Sequence, residues 1–430
     1  MKIIRFPQRH QWADIVARPR IDSKALSTRV EDIMQRVRAE GDDAVMELER
    51  TFDCQQLQAI EVTDEETDMA RGMIADELYE AMTIAYGNIK RFHEAQLTEL
   101  PRVETCKGVV CWQKRVGIES VGLYIPGGTA PLFSTVLMLA TPAELAGCKE
   151  IVICTPPDRN GNIHPAILVA AQMAGVKKVF KVGGSQAIAA MTYGTETIPK
   201  VDKIFGPGNR YVMEAKQQAQ REGVAIDMPA GPSEVCIIAD EKADAAYAAA
   251  DLLSQAEHGA DSQILFITDS EDMLQKTIGE TEQQLGQLPR KEFARLSLEN
   301  SSFVLVEDID EAVELSNMYA PEHLIIQTQD CETVAEKITN AGSVFLGKYA
   351  CESAGDYASG TNHTLPTHGF AKAHSGVNID SFCKKITFQR ITEQGIGTIG
   401  KAVEIMAMAE SLEAHAKAMR IREKNVNGSN

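Results

Sequence analysis

Nitrogen and oxygen donors of the kind that bind metal ions are spread over the C-terminal half of this sequence. Gln255 and His258 stand three residues apart in a helical segment, so their side chains share one face and can converge on one ion. Asp356 and His415 follow later in the chain. Together the four residues supply two nitrogen and two oxygen donors, a set suited to zinc with positions left open for a substrate. Taken alone, His258 is explained more simply by a favourable position at the negative end of a helix dipole.

An acid and an imidazole stand side by side in the segment APEH (320–323), immediately before an apolar run that predicts a strand. Glu322 and His323 are well placed for proton transfer, because partial burial can bring both pKa values towards neutrality. A solvated position on the surface is the simpler interpretation of the pair by itself.

Two further histidines stand near carboxylates. His363 and Asp356 lie in one polar, Gly-containing segment that we expect to be a flexible loop, and Glu410 precedes His415 on the last predicted helix. For His415 alone, an ordinary position on an amphipathic helix face is the simpler interpretation.

Glycine-containing turns follow predicted strands in the middle of the chain. They are residues 126–128, 183–186 and 206–209. All fall at the carboxyl ends of strands of one sheet, where such sheets bind ligands. Their backbone amides, with Gln186, Asn209 and a stacking or hydroxyl contact from Tyr124, could surround a nucleotide. Taken singly, most such glycines only form tight turns between a strand and a helix.

The turn GPGN (206–209) has the position of a dinucleotide-binding fingerprint, because it follows a strand, opens a helix and precedes Asp227 by about twenty residues. The match fails on physical grounds. Tyr211 occupies the third glycine position, where close packing of helix on strand leaves no room for a side chain, and Pro207 has no amide to donate to a pyrophosphate.

The elements that must position these residues follow from hydrophobic periodicity. The N-terminal hundred residues favour helices. Short β-branched runs then alternate with turns and Ala-rich segments, which predicts a doubly wound parallel sheet with helices on its faces. The predicted strands are 122–125, 150–154, 178–182, 203–205 and 235–238, followed in a second α/β region by 263–268, 303–306 and 324–327. Residues 342–376 have loop composition, and residues 400–423 predict one amphipathic helix.

The composition restricts the class of function. The chain has 430 residues, and 43 Lys and Arg against 61 Asp and Glu give a formal net charge of −18. An acidic protein repels phosphate backbones and anionic lipid, which argues against a nucleic acid or membrane partner. The nine cysteines contain no C-x-x-C pair, and the N-terminus has no apolar signal region, so we expect reduced thiols and a cytoplasmic location.

Several motifs resemble those of the histidinol dehydrogenase family, in order and spacing, over nearly the whole chain. They are GLYIPGG (122–128), PLFSTVLM (131–138), GPGN (206–209), AGPSEV (230–235), QAEH (255–258), APEH (320–323) and GTNH (360–363). The resemblance implies a zinc- and NAD-dependent enzyme of histidine biosynthesis. Such an enzyme oxidises L-histidinol to L-histidine with two NAD⁺, through a bound L-histidinaldehyde.

The resemblance also implies a role for each candidate residue. Zinc, one ion per subunit, is implied on Gln255, His258, Asp356 and His415. Acid/base catalysis is implied for Glu322 and His323. Substrate contacts, besides His323 and the metal ligands, are implied for Ser233, His363 and Glu410. NAD contacts are implied for Tyr124, Gln186 and Asn209. The family pattern further implies a homodimer whose C-terminal segment, with Glu410 and His415, completes the site of the partner subunit.

The expected fold is α/β, with two incomplete Rossmann-like, doubly wound domains. The expected boundaries are 1–25 for a small helical N-terminal segment, 26–118 with 236–377 for the domain carrying the zinc and acid/base residues, 119–235 for the domain carrying the NAD-binding turns, and 378–430 for a helical arm exchanged with the partner.

Three alternatives stay open from the sequence. A cysteine nucleophile, Cys111 or Cys148, could replace water as the group that attacks the aldehyde. The same zinc and NAD frame could oxidise another primary alcohol. A zinc- and nucleotide-binding protein without turnover is the third alternative, and the intact Glu322–His323 pair argues against it.

Overall fold

The computed structural model of this chain describes residues 1–18, 24–127, 130–289 and 291–427. The chain divides into two compact units, of which the first comprises Met1–Ala95 and Ile118–Phe382 and the second Gln96–Gly117 and Cys383–Asn430. Gly128 of the predicted turn 126–128 lies outside the described residues, as do residues 19–23 of the expected N-terminal segment. The predicted domain boundaries stay a prediction.

The strands within the described residues are β1 (Lys2–Arg5), β2 (Arg102–Cys106), β3 (Val109–Gly117), β4 (Ser120–Tyr124), β5 (Glu150–Thr155), β6 (Lys178–Lys181), β7 (Lys203–Phe205), β8 (Ala225–Ile226), β9 (Glu234–Ala239), β10 (Gln263–Thr268), β11 (Ser302–Leu305), β12 (His323–Gln327), β13 (Ser343–Leu346) and β14 (Cys383–Ile391).

The α-helices within the same residues are α1 (Trp12–Ile15), α2 (Lys24–Glu40), α3 (Asp42–Phe52), α4 (Asp64–Ala70), α5 (Asp76–Glu94), α6 (Phe133–Leu145), α7 (Pro165–Met173), α8 (Gly184–Tyr193), α9 (Arg210–Arg221), α10 (Ala245–Ala256), α11 (Glu271–Leu285), α12 (Lys291–Glu299), α13 (Ile309–Tyr319), α14 (Cys331–Ala335), α15 (Glu352–Tyr357), α16 (Glu393–Ala409) and α17 (Glu413–Asn427). Among the described residues, no helix is both long enough and apolar enough to cross a membrane.

The larger sheet of the first unit has six strands in the order β1-β11-β10-β9-β12-β13, and every neighbouring pair is parallel. All residues of β9, β10 and β12 are buried, as expected for central strands covered on both faces. His323 at the start of β12 pairs with Val235 of β9 and Ser343 of β13. The amino ends of these three strands therefore lie side by side.

The second sheet of the first unit has five parallel strands in the order β6-β5-β4-β7-β8. Successive residues of β4 enter opposite cores, since Leu123 packs with Val136 in one apolar cluster and Tyr124 with Ala187 in another. Helices α8 and α9 begin directly after the turns that follow β6 and β7. The predicted parallel sheet is confirmed with its turns after β6 and β7, but the predicted strand 235–238 forms β9 of the six-stranded sheet instead.

The second unit is a three-stranded antiparallel sheet, β14-β3-β2, with the helices α16 and α17. The prediction of one helix over 400–423 is wrong. Ser411 has a left-handed backbone with φ of 61°, so α16 ends at Ala409 and a new helix begins at Glu413.

The loop predicted over 342–376 is also partly wrong, because it contains β13 and α15. Both elements are short, and the polar, Gly-containing composition of the segment masked their periodicity. Asp356 consequently lies on a helix and not in a flexible loop.

Candidate active site and metal centre

Glu322 and His323 lie at the amino end of β12 in the six-stranded sheet, and both side chains are buried. The backbone amide of Glu234 donates to Oε2 of Glu322 at 2.8 Å. Nδ1 of His323 lies 3.2 Å from the carbonyl oxygen of Glu234 and 3.7 Å from Oε2 of Glu322. The solvated surface position considered for this pair is therefore wrong.

Burial and neighbouring charges shift both pKa values. Burial raises the pKa of Glu322 to about 7, although His323 and the amide of Glu234 oppose the shift. Burial lowers the pKa of His323, but the carboxylates of Glu352, Glu322 and Asp356 outweigh that effect and raise it well above its ordinary value. Glu322 can therefore exchange a proton close to neutral pH.

Helix α15 presents two carboxyl groups, one turn apart, to the ring of His323. Oδ1 of Asp356 lies 3.5 Å from Nε2 of His323, and Oε1 of Glu352 lies 3.9 Å from Nδ1. The side chain of Glu352 is 2% exposed. Burial raises the pKa of Glu352 to about 8. Sequence reasoning missed Glu352, although its spacing of four residues from Asp356 would have indicated it if the segment had been taken as helical.

Helix α10 carries the amide of Gln255 in its last turn, and His258 follows directly after the helix. Gln255 is fully buried, and neither its Oε1 nor its Nε2 has a hydrogen-bond partner among the described residues. Leaving a buried amide unpaired is costly, which indicates that a further group binds there.

His258, which follows α10, meets the two carboxyl groups of α15 at one place. One ligand atom each of His258, Glu352 and Asp356 lies within 4.8 Å of the other two. Oε2 of Glu352 is buried without a hydrogen-bond partner among the described residues. Burial raises the pKa of Asp356, but the hydrogen bond and charge of His323 outweigh it and keep that pKa below its ordinary value. Nitrogen and carboxylate donors in this arrangement fit a divalent cation such as zinc.

Two of the predicted substrate contacts lie in the same unit. Ser233 lines a cavity of about 580 Å³ together with His258. Nε2 of His363 lies 3.2 Å from Oγ1 of Thr135, and burial lowers the pKa of His363 although Asp356 raises it. The first unit therefore contains the candidate metal ligands, the acid/base pair, and the side chains of Ser233 and His363.

Glu410 and His415 belong to the second unit. Glu410 follows the last residue of α16, and its amide donates to the carbonyl of Met406 at 3.1 Å. His415 lies on α17 and lines a cavity of about 520 Å³ with Val403 and Met419. Their predicted roles as substrate contact and zinc ligand stay predictions.

The three residues predicted to contact NAD line one cavity of about 1020 Å³ in the first unit: Tyr124, Gln186 and Asn209. The hydroxyl of Tyr124 accepts from the amide of Gly184 at 3.1 Å, and Nε2 of Gln186 donates to Oε1 of Glu49 at 2.8 Å. Asn209 caps α9, since its Oδ1 accepts from two amides of the first turn. Each side chain is thus fixed at the carboxyl edge of the five-stranded sheet.

The turn after β7 is held by a buried ion pair between Lys216 and Asp227. Asp227 is therefore not free to bind a nucleotide as a fingerprint carboxylate would. Oδ2 of Asp227 accepts from the amide of Gly206 at 2.8 Å, and Nζ of Lys216 donates to the carbonyl of Gly206 at 2.8 Å. Gly206 has φ of 123°, and a Cβ there would collide with the carbonyl oxygen of Tyr124. Asp227 therefore supports the turn, in agreement with the rejected fingerprint.

All nine cysteines are free thiols. Sγ of Cys148 lies 3.7 Å from the carbonyl oxygen of Phe382, and Cys111 lies on β3 of the second unit. Burial raises the pKa of Cys236 to about 12, which makes it a poor nucleophile.

Over nearly its whole length the chain is similar to the known proteins of one family. The family model described as histidinol dehydrogenase matches residues 16–423. A histidinol dehydrogenase of Bacteroides thetaiotaomicron is 60% identical over 422 residues, covering 98% of this chain and 99% of that protein. One from Escherichia coli K12 is 49% identical over 415 residues, covering 96% and 95%. The crystal structure of histidinol dehydrogenase from Elizabethkingia anophelis matches with a TM-score of 0.97 and 52% identity, covering 99% of both chains.

Proposed function

This chain belongs to the histidinol dehydrogenase family, and on that premise we propose that it oxidises L-histidinol to L-histidine with NAD through L-histidinaldehyde. These are the last two steps of histidine biosynthesis. The observation that carries the proposal is the cluster of His258, Glu352 and Asp356 beside the buried Glu322–His323 pair, together with the buried and unpaired amide of Gln255. It places donors for a divalent cation next to a buried acid/base pair.

The metal site would use one zinc ion per subunit. Gln255, His258 and Asp356 of one subunit and His415 of the other subunit would hold it. When they are bound, zinc acts as a Lewis acid that anchors the amino alcohol, and NAD accepts the hydrides. The unpaired amide of Gln255, and the carboxyl group of Asp356 beside His258 and Glu352, support this assignment.

The acid/base steps would belong to Glu322 and His323. His323 would remove the hydroxyl proton of the alcohol. Glu322 would then activate water for attack on the aldehyde, and His323 would assist deprotonation of the resulting gem-diol. The hydrogen bond from the amide of Glu234 fixes Glu322, and the carbonyl of the same residue fixes the ring of His323. Fixed positions for both groups supply much of the expected rate.

Substrate and cofactor would occupy neighbouring parts of the first unit. Ser233 and His363, with the metal ligands, would contact L-histidinol. The cavity lined by Tyr124, Gln186 and Asn209 would hold NAD. We further propose a cytoplasmic homodimer in which Glu410 and His415 of one subunit complete the site of the other. Nine free thiols fit a reducing compartment.

Steady-state NADH formation with L-histidinol tests the proposal as a whole. We expect two NADH per L-histidinol, loss of activity after chelation and recovery with zinc. His258→Asn should lose both bound zinc, measured by atomic absorption, and activity. Its control is the exposed His10→Asn, which should keep both. Activity that survives complete removal of the metal, or oxidation of other primary alcohols only, would contradict the proposal.

The role of Glu322 has its own test. Glu322→Gln should slow oxidation of supplied L-histidinaldehyde by roughly 100-fold or more, because it removes the base that activates water. The KM for L-histidinol should change far less. An unimpaired second half-reaction would remove Glu322 from this role.

A further inference from the structure

The carboxyl group of Glu49, which the sequence did not indicate, lies beside the cavity that we propose for NAD. Glu49 of α3 is 0% exposed. Its Oε1 accepts from the amide of Gly183 at 2.9 Å and from Nε2 of Gln186 at 2.8 Å. Gly183 is the residue that precedes α8, a helix of 10 residues. The carboxyl group of Glu49 therefore takes a place where dinucleotide-binding folds commonly put a phosphate.

The neighbouring donor of the same turn is also in use. The amide of Gly184 donates to the hydroxyl of Tyr124 at 3.1 Å. A Cβ added at Gly183 would lie 2.6 Å from Cβ of Pro156 and 3.3 Å from Oδ2 of Asp53, so the turn is closely covered. Side chains of the protein thus occupy the amides of both glycines.

Asp53 presents a second carboxyl group, one turn after Glu49, to the cavity itself. Oε2 of Glu49 is buried with no donor to accept from among the described residues. Burial and the neighbouring Asp53 together raise the pKa of Glu49 to about 8, and burial raises the pKa of Asp53 as well, although its hydrogen bond with Glu49 opposes that shift. Glu49 is fully buried whereas Asp53 lines the cavity, so the proton that the pair retains resides on Glu49 and the charge on Asp53 faces the cavity.

The lining of the same cavity also contains positively charged side chains. The described lining residues include the exposed guanidinium groups of Arg29 and Arg159, with Asp32 and Asp158 as near neighbours in sequence. Among the described residues, no ion pair joins a Lys or Arg to Asp53. A dinucleotide can therefore place its pyrophosphate against an arginine, but it must bring a neutral hydrogen-bond donor to Asp53.

We infer that Asp53, supported by Glu49, is a specificity-determining residue that selects dinucleotides with a free 2′-hydroxyl on the adenosine ribose over those with a 2′-phosphate. The inference rests on the proposed function, because it takes this cavity as the NAD site. A carboxylate accepts from ribose hydroxyls, whereas a phosphate beside it suffers like-charge repulsion that costs affinity.

Calorimetric titration of the zinc-loaded protein with NAD and with NADP, without L-histidinol, tests the inference. The wild type should bind NADP at least about tenfold more weakly than NAD. Asp53→Asn should lower the ratio of the two Kd values by about tenfold or more, since it removes the charge and keeps the size. The control Asp43→Asn, an exposed carboxylate on α3, should keep the wild-type ratio.

Glu49→Gln gives a second measurement, because its amide oxygen can still accept from Gly183 and Gln186 and its neutral amide stands in for a protonated carboxyl group. It leaves the charge of Asp53 in place and should keep the wild-type ratio, without a large change in circular dichroism. A ratio that stays at the wild-type value in Asp53→Asn, or that falls as far in Glu49→Gln as in Asp53→Asn, overturns the inference while NAD binding stands. A wild type that binds neither nucleotide overturns the proposed NAD site and the inference with it.

Discussion

The ion pair between Lys216 and Asp227 gives the sharpest test of how this fold holds the turn GPGN (206–209). Nζ of Lys216 lies 2.5 Å from Oδ1 of Asp227, and both side chains are 1% exposed. Asp227 also accepts from the amides of Gly206 and Met228. The perturbation is Lys216→Met, which keeps the length of the side chain but removes its charge and its hydrogen bond to Gly206.

The expected loss follows from the burial of the partner. Lys216→Met leaves a buried carboxylate without a counter-ion, and breaking a buried pair in this way costs about 3–5 kcal/mol of unfolding free energy. The unit that carries this pair has about 360 residues, so at about 2.1 cal/mol/K of unfolding entropy per residue Tm should fall by roughly 4–7 °C. Adding Asp227→Asn removes the uncompensated charge, so the double variant should regain at least about 1–2 kcal/mol.

Thermal and urea unfolding, followed by circular dichroism, measure these changes. The control is Lys276→Met, which breaks an exposed ion pair with Asp272 and should cost less than about 1 kcal/mol. NAD affinity should fall in Lys216→Met, because the same turn carries Asn209. A loss below about 1 kcal/mol in Lys216→Met, or strictly additive losses in the double variant, would refute the reasoning.

Three further predictions concern other parts of the chain. Gly355→Ala should weaken zinc binding measured by competition with a chelator, because its Cβ would lie 2.5 Å from Cε1 of Phe345 and displace α15; unchanged affinity would contradict this. The raised pKa of Glu49 means that its contribution to stability is present below about pH 4.5 and is lost as the pH rises through about 8. The Tm of the wild type should therefore fall over that range more steeply than that of Glu49→Gln, and parallel profiles would be evidence against it. Cys111→Ala and Cys148→Ala should oxidise the aldehyde normally, whereas selective loss of that step would indicate a thiol nucleophile.

The local pattern of the sequence was enough for the elements whose signal lies within one segment. The β-branched runs predicted β4, β5, β6 and β7, because strands buried on both faces must be apolar throughout. The mismatch of residues 206–211 to the dinucleotide-binding fingerprint could also be predicted from the sequence alone. It depends only on the volume of the Tyr211 side chain and on the amide that Pro207 lacks.

Short elements with mixed composition were not predictable in the same way. Helix α15 has only 6 residues, so its pattern is too brief to show a period. The break at Ser411 depends on one residue with a left-handed backbone, which the apolar spacing of the flanking helices does not reveal.

By itself, the sequence determined the family resemblance, the residue types of the site and the i,i+3 relation of Gln255 to His258, because these depend on order and spacing alone. Only the tertiary structure decided that Glu352 joins Asp356 at His323, and that Glu49 lies under Gln186. These groups are far apart in the chain or lie on elements without a local signal. They meet because the apolar faces of their helices pack on parallel sheets, and that packing sets which polar side chains are buried together.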